Sequence, residues 1–315
     1  MTKLFISIVL INLFCVTSFM AQSNNDLYAT SNQLYQDGKY KKALTLVDKA
    51  IKENPNNSKL YALKGQILYE INNDSNEFFS YLSKGVEIEP ESPEPLMERG
   101  YYYEQIGEYP NAILDYNDAL KITNADSTTI MIYTNLGSIY QKIQKTEIAY
   151  SNLLKGYQID SNNIGILNNL AMCLDDLGER DQARKYLLKI IQIDSTFIGA
   201  YINLGFQASL NEEFNLALSY LNKANELEPN QPFTLNNRGY VKLKLNDIEG
   251  ALKDIDKSIE IDPKNSYAYR NRALVYLEKK EIEKACENLY LAKKQGFSIY
   301  YGDEVDELIK KKCIK

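Results

Sequence analysis

The chain has 315 residues, with 36 lysines and arginines against 42 aspartates and glutamates, a net charge of −6, and neither histidine nor tryptophan. An acidic chain of pI near 5.1 is poorly suited to a nucleic-acid backbone. Without histidine it lacks the commonest general base and the commonest metal ligand, which argues against an enzyme, a metal site or a small-molecule cofactor.

Residues 1–21 read as an export signal: Lys3 gives a positive start, residues 4–16 are apolar except for Ser7 and Asn12, and Ala21 is a small residue near a cleavage point. The apolar core is short for a membrane span. Cleavage, retention as a membrane tether, and lipidation at Cys15 all remain open, although Phe14 is bulkier than lipoprotein signals favour. The expected location is periplasmic or extracellular.

From residue 24 the sequence repeats with a period near 34. Copies start near 24, 58, 93, 130, 164, 198, 232 and 266, and the array ends near 299. The pattern is clearest in residues 198–231 and 232–265. Numbered from one, these copies carry Tyr201 or Leu235 at position 4 and Gly205 or Gly239 at position 8. Ala217 or Ala251 follows at position 20, and Pro229 or Pro263 at position 32. Apolar or small residues at 4, 7, 11 and again at 20, 24, 27 make two amphipathic stripes of helical period. Arg238 and Lys242 depart from that pattern. Small residues at 8 and 20 let two helices cross closely, and proline ends the second.

Three irregularities are expected. Phe78 replaces the small residue at position 20 of repeat two, which predicts a splayed hairpin. An extra residue falls in the polar stretch 72–76, where loops tolerate insertion. Three extra residues at 123–129 make that joint a candidate hinge. Residues 300–315 read as a capping helix with Asp303 as N-cap and Val305, Leu308 and Ile309 as its apolar stripe. Its Lys310, Lys311 and Lys312 read as a solvated helix end.

In these spacings the chain resembles the tetratricopeptide repeat family. The resemblance implies an all-α protein: a right-handed α-solenoid of eight helix–turn–helix repeats with a C-terminal cap. It implies that the first helix of each repeat lines a concave groove, with positions 2, 5, 6, 9, 12 and 13 facing in. Position 6 then reads Asn135, Asn169, Asn203, Asn237 and Asn271. Two roles fit this ladder: binding the backbone of an extended peptide, or the usual packing of neighbouring hairpins. Ile202, Phe206, Leu210, Phe233, Tyr240, Leu243, Leu274 and Leu277 would add an apolar inner surface, and Arg270 a cation for a carboxylate. Asp175 and Asp176 lack the further oxygen ligands of a calcium loop and read as a solvated face. The lysine–asparagine pair used by family members that bind acidic chaperone tails is missing. Repeat one has Tyr28 and Asn32 at those positions, and repeat three offers Glu94 and Glu98. The many tyrosines read as half-buried structural residues.

Cys286 and Cys313 come together if the cap folds over repeat eight. A disulfide fits an exported chain, and two small packing residues fit equally. Cys173 reads as a buried thiol. The expectation is an exported, non-catalytic scaffold that binds a protein or peptide in the groove of repeats four to eight. The alternative is a structural subunit of an envelope assembly, held by its ends and convex face.

Overall fold

The computed structural model describes residues 27–314; the proposed signal, residues 1–21, lies outside them. Among the described residues every regular element is helical, and no helix is long and apolar enough to cross a membrane. The chain divides into two compact units, residues 1–143 and 144–315. The first holds α1 (residues 27–36), α2 (Tyr40–Glu53), α3 (Ser58–Asn72), α4 (Ser75–Ile88), α5 (Pro93–Gln105), α6 (Tyr109–Ile122) and α7 (Asp126–Lys142). The second holds α8 (Thr146–Ile159), α9 (Ile164–Asp176), α10 (Arg180–Ile193), α11 (Ile198–Leu210), α12 (Phe214–Leu227), α13 (Pro232–Lys244) and α14 (Ile248–Ile261). It continues with α15 (Ser266–Glu278), α16 (Ile282–Lys294), α17 (Phe297–Tyr300) and α18 (Glu304–Lys312). In each unit consecutive helices pack as antiparallel neighbours, giving an α-solenoid of helical repeats.

Each hairpin turns the same way. Position 15 carries a left-handed residue in all eight repeats: Gly38, Asn73, Gly107, Gln144, Gly178, Glu212, Asn246 and Lys280. Glycine and asparagine reach this conformation readily, whereas a longer side chain pays about 1 kcal/mol or more. Glu212 is exposed and in none of the salt bridges among the described residues. Glu212→Gly should therefore raise stability by roughly 1 kcal/mol in urea denaturation; an unchanged midpoint would show the strain is absorbed elsewhere.

Position 8 is small because the second helix runs against it. A Cβ added to Gly205 would stand 2.6 Å from Leu221 Cγ, and one added to Gly239 would stand 2.5 Å from Ile255 Cγ1. The alanines at position 20 (Ala43, Ala112, Ala149, Ala183, Ala217, Ala251 and Ala285) are fully buried. Phe78 does not splay its hairpin. Its carbonyl oxygen would lie 3.2 Å from a Cβ on Gly65, between the 3.4 Å of Ala217 at Gly205 and the 3.0 Å of Ala251 at Gly239. The backbones approach normally, and the ring packs beside Tyr69, Phe79 and Tyr102. Neither insertion makes a long loop. The residue added in repeat two extends α3 to 15 residues, with Asn73 closing its end. The three added before repeat four lengthen α7 to 17 residues, leaving only 123–125 between α6 and α7.

Three of the four position-4 tyrosines share a further task. Tyr61, Tyr201 and Tyr269 each donate a hydroxyl hydrogen bond to the carbonyl six residues earlier, in the turn from the preceding repeat (Pro55 2.9 Å, Ser195 3.1 Å, Pro263 3.2 Å). The ring is largely buried while the hydroxyl ties down the turn.

Position 7 explains the polar departures. Arg238 donates from Nε and Nη2 to both oxygens of Asp254 at position 23, each at 2.7 Å, and Lys242 reaches the same carboxylate at 2.8 Å. Repeat three repeats the clasp with Arg99 and Asp115, at 2.8 and 2.7 Å. In repeat eight Arg272 bonds Asn288 at 2.7 Å. Each of these arginines also reaches position 25 of the preceding repeat, at Asn222, Ser83 and Asp256 respectively. Lys64 does the same with Asp48, 2.8 Å away, while its ammonium lies 5.1 Å from the ring centre of Tyr81. A base sixteen residues from two acceptors thus ties a hairpin together and to its neighbour. Repeats four to six carry the buried Leu136, Leu170 and Leu204 at position 7, where apolar packing replaces the clasp.

The far end of the second unit is closed by α18. Val305 and Ile309 are buried, and Leu308 is half-buried, against Tyr269, Ala273, Leu289, Ala292 and Phe297. Asp303 stands at the N-cap position but makes no capping hydrogen bond; Glu304, Asp306 and Glu307 supply negative charge in the first turn instead. Lys310, Lys311 and Lys312 are exposed in the last turn. Cys286 and Cys313 form a disulfide that spans 27 residues. Closing a loop of that length is worth about 3 kcal/mol in the unfolded chain. Cys313→Ser should lower stability by roughly that amount, with proteolysis starting at the cap. Cleavage beginning elsewhere would show that α18 is held without the bond.

Candidate functional site

In the second unit α11, α13 and α15 touch one another directly as well as their own partners. Crowding the first helices together makes their free side the inner face of that unit. Position 9 on this face reads Met172, Phe206, Tyr240 and Leu274, and positions 2 and 13 add Phe233 and Leu210. Met172, Phe206, Leu210 and Phe233 are large apolar side chains left 45%, 40%, 45% and 60% exposed. Ile202 and Tyr240 are half-buried beside them. A depression of about 110 Å³ lies among Phe206, Leu210, Asn237, Tyr240, Tyr267 and Arg270.

The asparagine ladder divides. Asn169, Asn203 and Asn237 are half-buried on α9, α11 and α13. Asn135 is also half-buried, but it belongs to α7 in the first unit. Asn271 is 1% exposed; its amide nitrogen donates to Asn236 at 2.9 Å and its oxygen accepts from Arg270 at 2.7 Å. It packs α13 against α15, the second of the two roles that fit the ladder, at the edge of the depression.

Arg270 is likewise engaged from within. Its Nε donates to Glu304 at 3.1 Å, its Nη2 pairs with the other oxygen of that carboxylate, and its side chain is 11% exposed. Glu304 follows Arg270 by 34 residues. The cap thus presents a carboxylate at the repeat spacing and takes the partner that the groove reading reserved for a ligand. The guanidinium also stacks over Tyr240 and Tyr267, 5.5 and 5.7 Å from the ring centres.

Asp176 is exposed, as a solvated face requires, whereas Asp175 is half-buried. Burial pushes both carboxyls above the ordinary aspartate range. Asp175 accepts from Gln207 Nε2, which lies 2.8 Å from each oxygen and bridges α9 to α11. Cys173 is fully buried, and desolvation pushes its thiol up to about 12, so it is unreactive. Among the described residues no group of three or more cysteine, aspartate and glutamate side chains could hold a metal ion.

Tyr267 lines the depression, although the sequence reading passed over it. Its signal was present: it holds position 2 of repeat eight, as Phe233 does in repeat seven. The first unit carries a second cavity, of about 200 Å³, among Tyr35, Gln66, Tyr69, Glu70, Phe78 and Tyr102. Its aromatic lining comes from the three repeats that fit the consensus least well.

Comparison with known proteins agrees with this geometry. Tetratricopeptide repeat profiles match residues 132–163, 164–197 and 234–265, and another such profile matches 255–287. A profile for anaphase-promoting complex, cyclosome, subunit 3 matches residues 8–74. Among solved structures, a tetratricopeptide repeat protein from Parabacteroides merdae is 18% identical with a TM-score of 0.57, covering 93% of this chain and 100% of its own. The APC/C hetero-tetramer Cut9–Hcn1 matches at 17% identity and a TM-score of 0.61, over 78% of this chain and 48% of that one. The chain thus spans about half the length of that relative. PilF of Pseudomonas aeruginosa matches at 16% identity and a TM-score of 0.55, over 68% of this chain and 96% of that one. With its hairpins repeating at the period these profiles describe, the chain belongs to the tetratricopeptide repeat family.

Proposed function

We propose that the protein is a non-catalytic scaffold that binds an extended segment of a partner protein on the inner face of repeats five to eight. The carrying observation is the row of exposed Met172, Phe206, Leu210 and Phe233 beside the half-buried Asn169, Asn203 and Asn237. Apolar side chains left open beside amides suit a peptide: the amides pair with its backbone, and the rings and methyls take its side chains. Export fits this reading. It is supported by the apolar residues 4–16 behind Lys3, and by the Cys286–Cys313 bond, which persists in an oxidising compartment.

Affinity capture from the envelope fraction of the source cell tests the proposal, using the wild-type chain and the Phe206→Ser/Phe233→Ser variant as baits. A partner retained by the first and missing from the second supports the inner face. The same partners on both would move binding to the ends or the outer face, as the envelope-subunit alternative requires.

A further inference from the structure

We propose a second binding site in the first unit, an aromatic pocket that takes the guanidinium of an arginine side chain from a partner protein. The site is independent of the inner face of repeats five to eight. It is the cavity of about 200 Å³ whose walls include Tyr35, Tyr69, Phe78 and Tyr102, with Gln66 and Glu70 supplying polar groups.

Three of the rings, Tyr69, Phe78 and Tyr102, form one connected wall. Phe78 stands at its centre, 5.7 Å from Tyr69 and 4.8 Å from Tyr102 between ring centres, the latter edge to face at 89°. Phe78 holds the position that is alanine in the regular repeats, so the pocket exists because this repeat breaks the consensus while its backbones still approach normally. An aromatic ring is negative on its face and attracts a cation there.

The polar groups select the same ligand. Gln66 donates its amide nitrogen to the Tyr102 hydroxyl at 2.6 Å, which leaves its amide oxygen as an acceptor. Glu70 is exposed at the lining, and no lysine or arginine lines the cavity. Neither Glu70 nor Glu98 is in any of the salt bridges found among the described residues. Both act on the rings: the charge of Glu70 is felt at Tyr35, and that of Glu98 at Tyr102. Burial, with the charge of Glu98 behind it, pushes the Tyr102 phenol up to about 12, so it stays neutral beside a cation. Guanidinium has five donors and no acceptor, keeps its charge, and stacks on aromatic faces, so it matches a pocket of acceptors, rings and negative potential. The net charge of −6 favours approach of a basic segment.

The test is an NMR titration of the full chain, labelled at isoleucine methyls, with Ile106 as reporter because it lines the pocket and is 58% exposed. The probes are three acetylated, amidated tripeptides: Gly-Arg-Gly, Gly-Lys-Gly and Gly-citrulline-Gly. Citrulline keeps the shape of arginine without its charge. The arginine peptide should shift Ile106 saturably and bind at least about 10-fold tighter than the citrulline peptide. The lysine peptide should be weaker than arginine, and Glu70→Gln should reduce arginine binding several-fold with the fold intact. Equal affinity for citrulline, or no saturable shift up to about 10 mM, would overturn the site. Lysine binding as tightly as arginine would overturn the guanidinium assignment. Loss of partner capture through Phe206 and Phe233 would leave this result unaffected, so the two sites stand or fall separately.

Discussion

Asp254→Ala is expected to lower the unfolding free energy by about 2–4 kcal/mol. The Asp254 side chain is 6% exposed and accepts from two cations, Arg238 and Lys242. Removing it leaves both cations facing a buried gap. Their side chains remain 13% and 20% exposed, so some charge still reaches water and the cost falls below that of a fully enclosed pair. Transplanting the apolar trio of repeat six should restore most of the loss. Arg238→Leu, Lys242→Ala and Asp254→Tyr reproduce Leu204, Ala208 and Tyr220 at the same positions. Urea denaturation followed by circular dichroism measures both. A loss under about 0.5 kcal/mol in the single variant would show that the clasp contributes specificity and no stability.

The same carboxylate gives a pH dependence. Burial raises the pKa of Asp254, but the hydrogen bonds and charges of Arg238 and Lys242 outweigh burial and hold it below the ordinary aspartate value. A carboxylate lowered in the fold contributes stability that is fully present above its unfolded pKa and is lost as pH falls through the folded one. Wild type should therefore lose stability on acidification below about pH 4, and Asp254→Ala should lose less over that window. Asp175 and Asp176 work in the opposite sense. Burial raises them, so stability falls as pH rises from the unfolded value through the folded one.

The period, the turns and the helix pairs were legible in the sequence because each repeat states the same local rules eight times. What the sequence hid lay in relations between repeats. Arg238 looked like a flaw in an apolar stripe until Asp254, sixteen residues on, supplied its partner. A one-residue pattern read along a helix does not reveal a pair whose members lie on two helices. Phe78 looked like a steric fault, yet a position-20 side chain can turn toward a neighbouring repeat while its backbone stays in place. Asn271 and Arg270 line the depression as their positions suggest, but both are already engaged from within. Glu304 of the cap and Asn236 of α13 engage them, and neither partner lies on the same helix as Arg270 and Asn271.

Phe206→Ser with Phe233→Ser is expected to weaken partner binding by about 100-fold or more while changing stability little. Phe206 and Phe233 are 40% and 60% exposed, so truncation opens no core cavity and the folding cost is small. Binding responds differently, because a ring that is desolvated only in the complex carries much of the interface energy, at about 2 kcal/mol or more for each strong contact. The asparagines provide the contrast. Changing Asn169, Asn203 and Asn237 to alanine removes backbone pairing worth about 1 kcal/mol each, an effect spread along the groove. If the phenylalanine variant loses the partner and the asparagine variant only weakens it, recognition is led by side-chain pockets with the ladder setting register. If the order is reversed, the groove reads the peptide backbone and the exposed rings serve another contact. Binding isotherms for the captured partner, measured on wild type and both variants after circular dichroism has shown all three folded, separate the cases.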